Sequence, residues 1–250
     1  MDDLLVVMSN PLDGRHDDFN SWYSNVHIRD VMRLPGSSAV QRLRLLDAQM
    51  SDAPGIVADR AFAYLALYEC HDIELVSAGH GAVFSPMMLI SDSFDFIMRE
   101  AYYRPLVQRQ QHAADVAQGA IVVERIDRDA EAGLVDWYDR ARMPALMGLP
   151  GVVAGTFSTV APHQMLEPHA DSWHLGLYRT HDPKATLAAW GRAPSLPGGG
   201  IVRVACYAPL MPRLTAREVV HPSWEARLAE ARARIALKGR VYAGFPEEMS

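Results

Sequence analysis

The feature that most constrains this 250-residue chain is that it repeats itself. Phe19-x-x-Trp22-Tyr23 and Leu34-Pro35-Gly36 recur 115 residues later as Leu134-x-x-Trp137-Tyr138 and Leu149-Pro150-Gly151. Leu65-x-Leu67-Tyr68-x-x-His71-Asp72 recurs as Leu175-x-Leu177-Tyr178-x-x-His181-Asp182, and Arg99 with Tyr103-x-Pro105-Leu106 recurs as Arg203 with Tyr207-x-Pro209-Leu210. Three blocks in one order mean that the chain folds as two similar units.

Periodicity reads each unit. Leu4 to Met8 is a short apolar run, Asp17 to Leu34 has helical spacing closed by Pro35-Gly36, and Ser38 to Leu46 and Phe62 to Tyr68 are strand-like. Asp72 and Asp182 stand where helix caps belong, and Ile97 to Tyr103 supplies a last strand. The order is strand, helix, strand, strand, helix, strand, the split βαβ pattern of ferredoxin-like domains. The expected fold is α+β: repeats over residues 1–112 and 118–212, whose antiparallel sheets pack face to face as a pseudo-dimeric α/β barrel, and a C-terminal helical extension over 213–250. Ser223 should cap an amphipathic helix from Trp224 to Leu237, which either wraps one repeat or leaves a homodimer contact open.

Composition narrows the function classes. Lys plus Arg number 24 against 30 Asp plus Glu, a net charge of −6 with no basic cluster, so nucleic acid is not an expected partner. No apolar stretch approaches 18 residues and the acidic start is unlike a secretory signal, so neither membrane insertion nor export is expected and a cytoplasmic setting fits. Cys70 and Cys206 form no CxxC and read as packed strand residues. Phosphate-loop, dinucleotide and GxSxG signatures are missing, and Gly198-Gly199-Gly200 precedes a strand, so it reads as a turn.

The stretch Asp18-Phe19-Asn20-Ser21-Trp22-Tyr23-Ser24-Asn25-Val26-His27, with Leu34-Pro35-Gly36, resembles the dimeric α/β-barrel superfamily and its EthD-like members. The resemblance covers roughly residues 4–106 and 120–210 and implies the barrel fold. It also implies that a histidine at the place of His27 lies near a pocket. The superfamily spans cyclases, isomerases, decarboxylases, dehydratases, cofactor-free monooxygenases and haem enzymes, so it does not choose a reaction.

Differences between the copies locate the candidate site. His27 corresponds to Arg142 and Asp30 to Ala145, whereas Trp22 and Tyr23 are kept. Spacings of four and three place Tyr23, His27 and Asp30 on one helix face, where Asp30 can orient His27 as a general acid or base. Tyr23 or Tyr64 would stabilise an enolate or phenolate, and Trp22, Tyr64, Tyr68 and His80 are the expected substrate contacts, His80 from a loop between Gly79 and Gly81. His71 and Asp72 are repeated and read as structural. His163, Glu167, His169 and His174 lack metal-ligand spacing, and no metal is expected.

The expected function is therefore a cofactor-independent lyase (decarboxylase or dehydratase) or isomerase/cyclase, moving a proton through His27 on a small apolar, aromatic compound. Two alternatives stand beside it: a haem oxidoreductase of the same superfamily with His174 or another histidine of the second half as axial ligand, and a non-catalytic binding protein.

Overall fold

In the computed structural model, residues 2–111, 119–126, 133–167 and 173–241 are described, with the side chains of 81–87 excepted. Strand β1 (Asp3–Pro11) leads into helix α1, which runs His16–Trp22, passes through a π-helical turn Tyr23–His27 and returns to α over Ile28–Met32. Strands β2 (Ser37–Leu45), β3 (Ile56–Ala58) and β4 (Tyr64–Cys70), helix α2 (Ile73–Met87) and the long β5 (Phe94–Gln110) complete the first half. The second half runs β6 (Ala120–Ile126), helix α3 over residues 134–147 with its own π turn Tyr138–Arg142, β7 (Val152–Val160), β8 (His174–Thr180), α4 (Pro183–Trp190) and β9 (Val202–Pro209). A short β10 (Leu214–Thr215) and helices α5 (Ala216–Val220) and α6 (Trp224–Ala236) follow.

Eight strands close a barrel in the order β2-β4-β1-β5-β7-β8-β6-β9, every pairing antiparallel, with β9 returning to β2 through Leu43 opposite Pro209. The sheets therefore do more than face each other: β5 bonds to β7 and β2 to β9, so neither half keeps a free edge along the barrel. Alternation sorts the side chains. Leu5, Val7, Tyr68 and Tyr102 face helices α1 and α2, while Val6, Met8, Leu65, Val123 and Leu175 fill the lumen. β5 outruns the expected Ile97 to Tyr103 because it pairs with β1 at one end and β7 at the other.

The repeated Pro-Gly has a steric cause. Gly36 and Gly151 have φ of +92° and +79°, and a Cβ would lie 2.3 Å from the Asp72 carbonyl oxygen or 2.7 Å from the Asp182 nitrogen. Each turn thus packs its backbone against the start of the following helix, which Asp72 and Asp182 cap through the amides of Leu75 and Ala185. The cysteines are buried and unbridged. No helix among the described residues is long and apolar enough to cross a membrane.

Helix α6 lies against α1 of the first half, capped by Ser223 and held by Arg33–Glu230 and Arg234–Asp30 ion pairs. Of its two expected roles, it fills that of wrapping a repeat.

Candidate active site

A buried cavity of about 20 Å³ lies between α1 and the sheet of the first half, walled by Trp22, Tyr23, His27, Tyr68, His80 and Glu100 together with Leu5, Val7, Phe94 and Met98. Five of the residues singled out in the sequence line it: Trp22, Tyr23, His27, Tyr68 and His80. The π turn sets the geometry. Tyr23 and His27 meet edge to face at 4.7 Å, and the Trp22 ring lies 4.9 Å from His27 while its Nε1 donates to the Leu89 carbonyl at 2.7 Å.

The extra residue of a π turn rotates all that follows by about 100° relative to an uninterrupted α-helix. Asp30 consequently leaves the face that α-helical spacing assigns to it. Its carboxylate accepts from Arg33 at 3.1 Å and from Arg234 of α6, and no hydrogen bond or ion pair joins it to His27. The expected His27–Asp30 pair is corrected: Asp30 anchors the C-terminal helix.

His80 corrects the expectation differently. It reaches the pocket, but from α2 rather than from a loop. The flanking glycines argue against a helix, yet Gly79 sits where a Cβ would lie 3.3 Å from the Leu34 side chain, so its bareness lets α2 press against the Leu34-Pro35 turn. Tyr64 stands beside the pocket and outside its wall. Its hydroxyl accepts from Asn20 at 2.8 Å and lies 3.0 Å from His16 Nδ1.

Two residues that the sequence reading did not single out dominate the electrostatics. Arg42 on β2 is fully buried and donates to Ser24 at 2.6 Å and Asn20 at 3.0 Å, with its guanidinium 4.3 Å from the Tyr23 ring centre. Burial lowers its pKa only to about 10, so it stays a cation. Glu100 on β5 faces the pocket opposite Val7, and its Oε1 accepts no hydrogen bond. Burial raises its carboxyl to about 7. A signal existed for both: each is a charge on the apolar, inward alternation of a strand, and the second copy has Phe157 and Val204 in their places.

Desolvation shifts the histidines the other way. His27 falls to about 3, through burial and then through its electrostatic coupling to His80 and Arg42, and His80 falls to about 4 through burial. Both imidazoles are neutral at pH 7. The Tyr23 hydroxyl is pushed up to about 12 and that of Tyr68 well above its usual value, chiefly by burial, so both remain protonated donors. The pocket thus holds neutral imidazoles and phenols, one cation beside them, and one carboxyl that titrates near neutrality. A carboxyl of that kind is matched to moving a proton at pH 7.

The matching place in the second half is closed. Glu124 takes Arg142, the Tyr138 hydroxyl at 2.8 Å and the Trp190 Nε1 at 3.0 Å, and the Tyr138 and Tyr178 hydroxyls lie 2.6 Å apart. His174, one of the second-half histidines open to the haem reading, is 1% exposed, with Phe157 stacked on it at 5.3 Å and Tyr138 stacked on Phe157 at 3.7 Å. His163 pairs with Glu74 at 3.2 Å, and His169 lies outside the described residues.

No protein-family description matches the chain, and no curated protein is recognisably similar in sequence. Among solved structures, an anthrone oxidase-like protein superposes with a TM-score of 0.56 at 14% identity, over 86% of this chain and 94% of its own. A Fusobacterium nucleatum protein named "Putative monooxygenase" gives 0.49 at 10% identity, over 85% and 94%. The first of these likenesses establishes a shared fold, an α+β protein built on a closed eight-stranded antiparallel barrel.

Proposed function

We propose that the chain is an enzyme that removes a proton from a small aromatic compound held in the first-half pocket, without a bound cofactor. The observation that carries this reading is the placement of Glu100, buried among Tyr23, His27, Tyr68 and His80 and poised near neutrality. Glu100 acts as the general base. His27 and Tyr23 donate hydrogen bonds to the oxygen on which negative charge develops, and Arg42, behind the Tyr23 ring, favours that anion electrostatically. Trp22 and Phe94 provide flat apolar walls. His27 is therefore a donor here rather than the base, since a group that protonates only near pH 3 is a weak proton acceptor at pH 7.

A carbanion formed this way has two fates. Reprotonation elsewhere or expulsion of a leaving group gives the isomerase and lyase outcomes. Addition to molecular oxygen gives a hydroperoxide, which loses water to leave a carbonyl: a methylene and O2 become a ketone and water, with O2 as the oxidant. The name of the anthrone oxidase-like relative supports the oxidative branch. A tricyclic substrate exceeds the present cavity, and Met98, half-buried and unbranched, is the wall that rotates at least cost. We also infer that the barrel derives from a duplicated ferredoxin-like unit, with the repeats at 1–112 and 118–212 and the extension from 213.

The test uses anthrone and its hydroxylated analogues. Oxygen uptake with quinone formation is expected from the wild type, and Glu100→Gln should lower it by about 10²-fold or more. Anaerobic exchange of the methylene protons with deuterated water, catalysed by the wild type alone, would assign the proton step even where no oxygen is consumed. Exchange at equal rates in both proteins contradicts the reading.

A further inference from the structure

The barrel holds a larger space than the helix-side pocket. At the lumen end where β1 and β6 begin, a cavity of about 410 Å³ opens, within the roughly 300–1,000 Å³ usual for small-molecule sites. Its floor is apolar and drawn equally from both halves: Leu4 and Ile121 occupy matching positions on β1 and β6, and Leu67 and Leu177 on β4 and β8. Beneath it the lumen is packed solid by Val6, Leu65, Val123 and Leu175.

The next matched position breaks the symmetry. Opposite Leu4 stands Glu69, and opposite Ile121 stands Arg179. Glu69 is already neutralised by Arg213, which grips it through both Nε and Nη2. Among the described residues Arg179 has no such partner: its guanidinium donates to the neutral Gln41 Oε1 at 2.9 Å, and no ion pair joins it to Glu69 or to Asp2 on the rim. Burial disfavours its charge, with Glu69 offsetting and Arg213 reinforcing that penalty. The cavity therefore presents an apolar floor with a half-buried cation at its wall that forms no ion pair with any described residue.

We propose that this barrel mouth binds a small amphipathic carboxylate, with the apolar body on Leu4, Leu67, Ile121 and Leu177 and the carboxylate on Arg179. The site shares no lining residue with the helix-side pocket and stands whether or not the proton-transfer reading holds. A guanidinium takes a carboxylate in a two-point fork, which a neutral headgroup cannot reproduce.

Octanoate and its neutral counterpart octanamide provide the test, titrated calorimetrically into the whole chain. Octanoate should bind the wild type, and Arg179→Met, which keeps volume and removes charge, should weaken it by about tenfold or more while leaving octanamide unchanged. Equal octanoate affinity in both proteins, or no binding by the wild type at millimolar concentration, overturns the proposal. Methyl-labelled NMR of the wild type locates the ligand without any variant. Octanoate should shift Leu67 and Leu177, whereas shifts confined to Val7, Val31 and Ile90 would place it in the helix-side pocket and contradict the assignment.

Discussion

The two halves of this barrel solve the same packing problem in opposite ways. Each buries one carboxylate between its sheet and its first helix, Glu100 on β5 and Glu124 on β6, and the two lie at crossed positions of matched strand pairs: Val7 opposite Glu100, Glu124 opposite Val204. In the second half the helix supplies Arg142 at the π turn, and Tyr138 and Trp190 complete the acceptor's needs. In the first half the same turn supplies His27, and the arginine comes instead from β2 and is taken up by Ser24 and Asn20. One carboxylate is fully served and the other is left to titrate. That imperfection, confined to one half, is what the proposed reaction draws on, while the other half serves as scaffold in the same reading.

That contrast predicts different mutational outcomes at equivalent positions. The largest effect on stability belongs to Arg142→Met, which strands Glu124 in the core and should cost about 3–5 kcal/mol in denaturant unfolding. His27→Gln, at the matching site, should cost under about 1.5 kcal/mol. A comparable loss at both sites would erase the distinction between the halves.

Glu100→Gln comes next. It should reduce proton exchange by about 10²-fold or more, and the wild-type rate should climb as pH rises through about 7, where the carboxylate forms. Stability moves in the opposite sense. The carboxyl is raised from 4.5 to about 7 in the folded state, so its favourable contribution is present below pH 4.5 and lost as pH rises through 7. Thermal melts of the wild type should lose stability across that window relative to Glu100→Gln, each pKa unit being worth about 1.4 kcal/mol.

His27 acts in the other direction. Its pKa is depressed from 6.5 to about 3, so its contribution is present above pH 6.5 and lost as pH falls toward 3. His27→Gln should therefore be less acid-sensitive than the wild type between those limits. A parallel decline in the two proteins would show His27 to be accessible to water. The smallest effect is expected of Asp30→Asn, which loosens a partly exposed ion pair with Arg234 and should cost less than about 1 kcal/mol while leaving turnover unchanged.

Much of this arrangement was legible in the chain. The duplicated blocks place the strands, the Pro-Gly turns and the caps, and Trp22, Tyr23, His27, Tyr68 and His80 do converge on one pocket. What escaped has particular physical causes. A π turn leaves no period of its own in a hydrophobic pattern, so α-helical arithmetic assigned Asp30 to the wrong face. Gly79 and Gly81 read as a loop, because the close packing that Gly79 serves depends on Leu34, 45 residues earlier. Glu100 and Arg42 could have been found by asking which inward strand positions carry charge. Which of the two buried carboxylates would be neutralised depends on contacts between each sheet and its own helices that no local pattern records.

The central claim is that Glu100 titrates near neutrality inside the folded protein. Carbon-13 NMR of the glutamate carboxyl groups tests it directly, with Glu100 assigned as the signal that disappears in Glu100→Gln. Titration of that signal at about pH 7 is the predicted result. Titration in the ordinary carboxylate range near 4.5 would show the pocket to be wet and would remove the general base from the mechanism.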